Sequence, residues 1–327
     1  MRSFVLQIVR VYQMFPNRIV LNCRMIDPRL QTLRILREEG TVTAAAARLH
    51  LTASTVSQQL RLLARDVGVE LLEADGRRVR LTAAAHTLLD HADTLYAEWE
   101  RTRADLAAHG SGDAGHLRFC GVSTAIAAII APAAAALLRT APKVTVHVSE
   151  EESDDCCPLL LADSTDIAVL IPTEASPPPD DARFDQQPIL DEPQDLLVPA
   201  GHPLAGRGEA HLSEAARERW VGSPERADQY RLLLSACAAA GFTPRAGPHA
   251  KEWFAISALV AHGFGVCLIP RLAPIPPELA VTRVRLTGRP VPSRRLIACV
   301  RRGSERQPLI AMGLEALRAQ GRIRTAE

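Results

Sequence analysis

Residues 52 to 60 read Thr52-Ala53-Ser54-Thr55-Val56-Ser57-Gln58-Gln59-Leu60, the start of a polar segment whose apolar residues have helical spacing. Thr52 suits the N-cap position, because its hydroxyl can accept a hydrogen bond from the free amides of a first helical turn. The apolar residues predicted to share one face of this helix are Val56, Leu60, Leu63 and Val67. The polar residues predicted to share the opposite face are Ser54, Gln58, Arg61 and Arg65. Most such faces are merely solvated, but hydroxyl, amide and guanidinium groups also suit phosphates and base edges.

The segments on either side of this helix favour nucleic-acid binding. A first helix is predicted over about residues 29 to 38, between Asp27 and Gly40, and a second over about residues 42 to 49. After the polar helix, the dipeptide Asp75-Gly76 predicts a tight turn. The arginines that follow this turn are Arg77, Arg78 and Arg80. This order predicts a helix-turn-helix with a basic wing, a shape that fits a DNA major groove and the phosphates beside it.

Residues 25 to 82 resemble the winged helix-turn-helix of the LysR-type transcriptional regulators. The resemblance rests on residues 41–49, 54–60, 71–72 and 77–82, although Ala74 stands where the family usually has arginine. It implies that Ala53, Ser54, Ser57 and Gln58 lie where the family touches DNA. Together with the chemistry of the helix and the wing, it predicts contacts with double-stranded promoter DNA by Thr52, Ala53, Ser54, Thr55, Ser57, Gln58, Arg61, Arg65, Arg77, Arg78 and Arg80.

The composition is that of a soluble globular protein with two or three domains, with 327 residues, 47% apolar content and a formal net charge of +1. Seven cysteines without a secretory segment predict a reducing cytoplasm. We expect these thiols to serve as small buried apolar residues, with a redox switch as the less favoured alternative. Residues 1–24 are predicted to be an upstream mis-assignment of the start or a loosely ordered extension. No metal site, cofactor or membrane-spanning segment is predicted.

Residues 83 to 108 contain no proline or glycine and predict one long linker helix. Its apolar residues follow a heptad pattern, with Leu81, Leu88 and Leu95 in one series and Ala85, Ala92, Trp99 and Leu106 in the other. This pattern predicts self-association through residues 81–106, as a dimer or tetramer, because two recognition helices are needed to span successive major grooves. The alternative is a helix packed on its own domain. Residues 109–115 predict a flexible boundary.

Residues 116 to 305 alternate strands and helices, which predicts parallel strands with helices on both faces. On residues 202–205, 240–244 and 263–270, this part resembles the effector domain of the same regulators, a two-lobed α/β fold like type 2 periplasmic binding proteins. The predicted lobes are residues 116–187 with 288–305, and residues 188–287. Residues 306–327 are predicted to form a C-terminal helix and tail.

Open α/β sheets bind ligands beyond the carboxyl ends of their strands, near helix N-termini. Ser123 and Thr124 follow the first strand of the effector domain, and Ser223 holds the matching position in the second lobe. Trp253 and Phe254 would form an apolar wall. The residues predicted to bind an unidentified small-molecule effector are Ser123, Thr124, Ser223, Trp253, Phe254 and Gly265, the last for close backbone approach. Each of them alone is equally well explained as a cap or core residue.

The sequence therefore predicts a sequence-specific DNA-binding transcriptional regulator whose activity depends on a small-molecule effector bound between two α/β lobes. The alternative is an enzyme, or a solute-binding module, with an appended DNA-binding domain. No catalytic residue is predicted, because the chain lacks the Gly-x-Ser-x-Gly elbow, the phosphate-binding glycine loop and the His-Glu-x-x-His motif. The acidic turn Glu150–Glu152 would favour a cationic group on the effector if it lines the cleft, but a solvated loop is the preferred interpretation.

Overall fold

The computed structural model describes residues 26–75, 78–109, 114–224, 228–288 and 290–326. The predicted N-terminal extension, residues 1–24, lies outside the described residues. So do the tip of the predicted wing hairpin and most of the predicted flexible boundary.

The N-terminal helices are α1 (Pro28–Glu39), α2 (Val42–Arg48) and α3 (Ala53–Val67). Each begins at a capping side chain, because the first amides of a helix have no partner within it. Asp27 accepts from the amide of Arg29 at 2.9 Å, Thr41 from Ala44 at 3.2 Å and Thr52 from Thr55 at 3.1 Å. The predicted helix-turn-helix is confirmed, with boundaries within one residue or so of those expected.

The core of this small domain is apolar and buried. Leu33, Ile35 and Val56 are fully buried, and Leu60 is 1% exposed. Ala45 is also fully buried, and its small side chain lets α2 lie close to its neighbours. The prediction that Val67 belongs to this apolar face is wrong, since it is 41% exposed. Val67 is the last residue of α3 and precedes the left-handed Gly68, so the final turn extends beyond the core.

The wing consists of β1 (Leu72–Asp75) and β2 (Arg78–Leu81), which pair antiparallel with Leu72 opposite Leu81. The linker helix α4 (Ala83–Ala108) follows directly, and Thr82 caps it by accepting from the amide of Ala85 at 3.1 Å. The hairpin and the long helix therefore agree with the sequence-based expectations.

The heptad pattern of α4 does not define a single face. Ala85 and Ala92 are buried against the protein, whereas Leu95 is 54% and Leu106 51% exposed. A straight α-helix drifts by about 20° per heptad, so Leu106 is rotated by roughly 60° from Ala85. The expectation that all seven heptad residues form one pairing stripe is wrong. The outward face carries Leu88, Leu95, Trp99 and Leu106, of which Leu88 and Trp99 are half-buried.

The first lobe is built from β3 (Ala114–Gly121), α5 (Ser123–Thr140), β4 (Lys143–Glu150), α6 (Ser153–Leu161) and β5 (Ile167–Leu170). Strands β4 and β5 both pair parallel with β3, as the alternating pattern predicts. By length and composition α5 would qualify as a membrane-spanning helix, but 44% of it is buried inside the protein. Ile129, Ile130 and Leu137 of α5 pack in the core of the lobe.

The rest of the chain forms β6 (Phe184–Pro199), β7 (Glu209–His211), β8 (Arg219–Gly222), α7 (Asp228–Ala239), β9 (Arg245–His249), α8 (Trp253–Ala261), β10 (Cys267–Pro270), β11 (Val281–Thr287), β12 (Ser293–Arg301) and α9 (Pro308–Ala326). The main sheet has the order β4-β3-β5-β12-β6-β11-β7, with β10 also paired to β6. Antiparallel pairs with β6 make the sheet mixed rather than wholly parallel.

Strand β6 belongs to both lobes. Its first part, up to Pro193, pairs with β12, and from Gln194 onward it pairs with β10 and β11. The sequence pattern alone predicts only a short strand from Asp195 to Pro199, which is the end of this 16-residue strand. Pro188 and Pro193 both lie within the pairing register of this strand with β12. The proposed lobe boundary at residue 188 falls inside this strand, and the change of partner comes at Pro193 and Gln194.

Candidate DNA interface and effector cleft

The outer face of α3 is open to solvent along its whole length. Ser54, Gln58, Arg61 and Arg65 are all exposed, while Val56 and Leu60 on the opposite side are buried. The Arg65 side chain is 74% exposed. Amide and guanidinium groups on a free helix face can make paired hydrogen bonds with base edges. The predicted polar face therefore exists and is turned outward.

The beginning of α3 presents a cluster of hydroxyls. The Thr52 hydroxyl lies 2.8 Å from the hydroxyls of both Ser54 and Thr55, and Ala53 beside them is exposed. The N-terminus of this 15-residue helix carries the positive end of the helix dipole, which attracts phosphate. Ser57 is half-buried, and its carbonyl accepts from Arg61 Nε at 3.3 Å.

The wing offers less free charge than the sequence suggested. Arg80 is 70% exposed, but it forms a 2.5 Å ion pair with Glu73 on the neighbouring strand. The backbone of Arg78 lies opposite that of Asp75 in the register of the hairpin. Arg77, which was also predicted to contact DNA, lies outside the described residues.

Charged side chains that sequence reasoning missed fix this module to the linker helix. Buried Arg34 of α1 donates to Asp93 of α4 at 2.8 Å and lies over the Tyr96 ring at 4.1 Å. Arg37 donates to the other oxygen of the same carboxylate at 2.9 Å. Burial raises the pKa of Tyr96 to about 12. These contacts set the angle between α1 and α4, and thereby the direction of α3.

The same module also packs on the first lobe. Arg48 of α2 donates to Asp155 of α6 at 2.8 Å, and Arg183 donates to Glu38 of α1 at 2.5 Å. The Gln31 side chain donates to the carbonyl of Leu161 at the end of α6. Apolar residues of α1 and of α6 form one continuous core cluster. The DNA-facing module and the effector domain are thus in direct contact within one chain.

A cavity of about 380 Å³ lies between the two lobes. It is lined by Ser123, Thr124, Glu252, Trp253, Phe254 and Pro274–Pro277. Four of the six predicted effector residues therefore meet at one cavity, where α5 and α8 both begin. Phe254 of this wall is 63% exposed.

A buried ion pair supports the polar end of this cavity. Arg294 donates to Glu192 at 2.7 Å and to the Thr124 hydroxyl at 2.6 Å. Glu192 in turn accepts from the amide of Leu272 at 2.8 Å, just before the proline-rich wall. No local pattern marks Glu192 or Arg294, because only the pairing of β6 with β12 brings them together.

Two predicted effector residues do not line the cavity. Ser223 is 7% exposed and follows the end of β8. Gly265 does permit a close backbone approach, but its neighbour is the carbonyl of Arg219 rather than a ligand, and its φ is +145°. A side chain at this position would collide with that carbonyl, so we assign Gly265 to packing between β8 and the segment before β10. This packing role replaces the prediction that Gly265 contacts the effector.

Comparison with known proteins decides the family. The "LysR substrate binding domain" model matches residues 110–322, and the "bacterial regulatory helix-turn-helix protein, lysR family" model matches residues 28–86. The chain belongs to the LysR family. It is a DNA-binding transcriptional regulator with a C-terminal effector-binding domain, not an enzyme.

Other LysR regulators are similar over most of their length. A probable hydrogen peroxide-inducible genes activator of Mycobacterium avium is 29% identical over 284 residues, which cover 85% of this chain and 88% of that protein. The DNA-binding transcriptional dual regulator OxyR of Escherichia coli K12 is 26% identical over 293 residues, 89% of this chain and 94% of that protein. Curated LysR regulators thus share both halves of this chain.

Solved structures agree on the fold. A full-length OxyR variant from Pseudomonas aeruginosa superposes with a TM-score of 0.63 at 20% identity, covering 89% of this chain and 93% of that one. Full-length CbnR complexed with its target DNA gives a TM-score of 0.54 at 23% identity, covering 90% and 98%. Both are LysR-type architectures with the same two-part organisation.

Proposed function

We propose that the exposed face of α3 reads promoter DNA, with Gln58 and Arg61 contacting base edges. The residues near the helix start would approach the DNA phosphates; these are Thr52, Ala53, Ser54, Thr55 and Ser57. The DNA backbone on either side would be contacted by four arginines, Arg65, Arg77, Arg78 and Arg80. The single observation that carries this proposal is the outward face of α3, which is polar, solvent-exposed and backed by a fully buried apolar one.

Two copies of the chain would pair through the outer face of α4. Leu95 and Leu106 are more than half exposed on that face, and with the half-buried Leu88 and Trp99 they offer a row of apolar side chains to a second copy. Pairing there would present two copies of α3 to successive major grooves of one duplex. We place this activity in the cytoplasm, where the promoter is.

Effector binding between the lobes would reach the DNA-facing module through α6. The residue before α6, Glu152, forms an ion pair with Lys251 of the second lobe at 2.9 Å. Farther along α6, Asp155 contacts Arg48 of α2, and Leu161 at its end contacts Gln31 of α1. This nine-residue helix is about 14 Å long and connects the cavity side of the first lobe with α1 and α2. A ligand that prefers one lobe arrangement would therefore favour one orientation of α1 to α3.

Selection of bound sequences from a library of randomised duplexes tests the DNA-reading proposal without a known target. The double variant Gln58→Ala with Arg61→Ala should lose sequence preference, because it removes both side chains that we propose to contact base edges. It should retain weak, salt-sensitive binding to any duplex. Sedimentation should show an unchanged oligomer.

The matched control is Gln320→Ala with Arg322→Ala in α9, which removes the same side chains elsewhere. This control should select the same sequences as the wild-type chain. An unchanged sequence preference in the α3 variant would remove α3 from the proposal.

A further inference from the structure

The rim of the cavity between the lobes is acidic on both sides. Glu150 ends β4 directly beside Gly121 of β3, which precedes the cavity residues Ser123 and Thr124. The amide of Glu151 donates to the Gly121 carbonyl at 3.0 Å, and this holds the turn of residues 150–152 at the edge of the cavity. From the second lobe, Glu252 lines the cavity itself. Among the residues that the structure describes, Glu252 has no salt-bridge partner.

This rim already holds one ammonium group. Lys251 Nζ lies 2.9 Å from Glu152 Oε1, in an ion pair that joins the two lobes. The hydrogen bond to Glu152 and the charges of Glu152, Glu252 and Glu150 raise the pKa of Lys251. Both side chains of the pair are more than 60% exposed, so water screens the pair and a competing cation can replace it.

Positive groups near the cavity do not outweigh the negative charge of its rim. Arg294 is compensated by Glu192 at 2.7 Å, and its remaining hydrogen bond goes to Thr124. The starts of α5 and α8 contribute about half a positive charge each. Against these stand the carboxylates of Glu150, Glu151, Glu152 and Glu252, with Lys251 as the one ammonium among them. The local field therefore favours a cation over an anion.

We propose that the cavity binds a small protonated amine with a compact apolar body. The ammonium group would bind Glu252 and compete with Lys251 for Glu152, while the apolar body packs on Trp253 and the wall of Pro274–Pro277. An aromatic face beside a carboxylate is a favourable setting for an ammonium. The hydroxyls of Ser123 and Thr124 remain for a polar substituent. A cavity of about 380 Å³ suits a ligand at the small end of the usual range. The inference rests on the proposed role of this cavity as the effector site.

Pairs of probes with the same apolar body and opposite charge test this ligand class by calorimetry on the full chain. One pair is 2-phenylethylamine and 3-phenylpropionate, and a second is isoamylamine and 4-methylpentanoate. Each pair has one apolar body with opposite charges. We expect the amines to bind and the carboxylates not to bind. Binding of the carboxylates in preference to the amines would overturn the proposal, and so would the absence of binding by all four compounds.

Two substitutions move the amine affinity in opposite directions. Glu252→Gln should weaken amine binding by about tenfold, because a charge-assisted hydrogen bond is lost. Lys251→Met should strengthen it, because the competing ammonium is gone. Glu98→Gln on the exposed side of α4 removes a comparable charge and should change nothing. Equal affinities for Glu252→Gln and the wild-type chain would also overturn the proposal.

DNA binding by the same samples separates this inference from the proposed function. A chain that selects its DNA sequences normally but ignores the amines would refute only the ligand class. A chain whose α3 variant keeps its sequence preference would refute the DNA-reading proposal, whatever the amines do.

Discussion

The DNA-facing surface and the effector cavity are constructed in opposite ways. The outer face of α3 comes from consecutive residues, and local helix geometry alone turns its polar side chains outward. The cavity collects residues 123–124, 252–254 and 274–277, which only sheet topology brings together. Side chains on the outer face of one helix can be replaced without disturbing the buried face that packs beneath them. A cavity assembled from distant segments depends on the buried contacts that hold those segments in place.

The largest expected effect concerns the contacts that join α4 to the first lobe. Glu100 is 6% exposed and binds Arg301 at 2.9 Å and Gln307 at 2.6 Å. Glu100→Ala would leave the buried Arg301 without its closest carboxylate and should lower the free energy of unfolding by about 3–5 kcal/mol. Urea denaturation measures this loss. Glu98→Ala, an exposed neighbour in α4, should stay within about 0.5 kcal/mol of wild type. A small effect at Glu100 would contradict the expectation that buried contacts between distant segments hold this part of the molecule together.

Acid should lower the stability of the effector domain whether or not salt is present, whereas its effect on the DNA-facing module should depend on salt. Burial raises the pKa of Asp166, but the hydrogen bond from Arg118 and the charges of Arg301 and Arg118 outweigh it and hold that pKa below its usual value. A lowered folded-state pKa stabilises the fold above the unfolded pKa of about 3.9, and this contribution is lost as pH falls through the folded value. The chain should therefore lose stability below about pH 4.

Salt distinguishes the two regions in that experiment. In the DNA-facing module, hydrogen bonding to Arg29 lowers the pKa of Asp66, which is half exposed and therefore screened by salt. Asp166 is 13% exposed and should keep its contribution in about 0.5 M NaCl. Hydrogen exchange of residues 53–67 and 167–170 at falling pH, with and without salt, measures the two regions separately. A salt response of equal size in both would contradict the expectation.

The smallest effect is expected at the cap of α3. Thr52→Ala removes the acceptor for the Thr55 amide and should cost about 1 kcal/mol of stability, while Thr52→Ser should restore most of it. Because the cap also orders the hydroxyls of Ser54 and Thr55, we expect a modest loss of DNA affinity in parallel. Thermal unfolding and duplex titration measure the two effects. A loss of affinity without a loss of stability would assign Thr52 to DNA contact rather than to capping.

The helix-turn-helix could be predicted closely because its determinants are local. Asp27, Thr41 and Thr52 mark helix starts through their own hydrogen bonds, and Val56 and Leu60 define the buried face by spacing alone. The same reasoning failed at Val67, where spacing places the residue on the correct side of the helix but cannot show where the core ends. It also failed along α4, where a seven-residue period conceals a gradual rotation.

The effector domain could be predicted only in outline. The alternation of strands and helices indicated the parallel start of the sheet, and strand ends located Ser123 and Thr124. Nothing local connects Glu192 with Arg294, or Glu152 with Lys251, because these partners are about 100 residues apart. Gly265 shows the limit most plainly. A glycine that permits close approach was recognised, but its neighbour was backbone from β8, not a ligand.

Strand β6 constrains how the two lobes can respond to a ligand. Because one continuous strand runs from Phe184 to Pro199, paired with β12 in the first lobe and with β10 and β11 in the second, we expect the lobes not to swing apart as bodies joined by loose loops. Closure would then add twist to this strand near Pro193 and Gln194, where its partners change. We therefore expect a graded response of small amplitude, visible as a slight change in scattering radius, and a large change on ligand addition would contradict it.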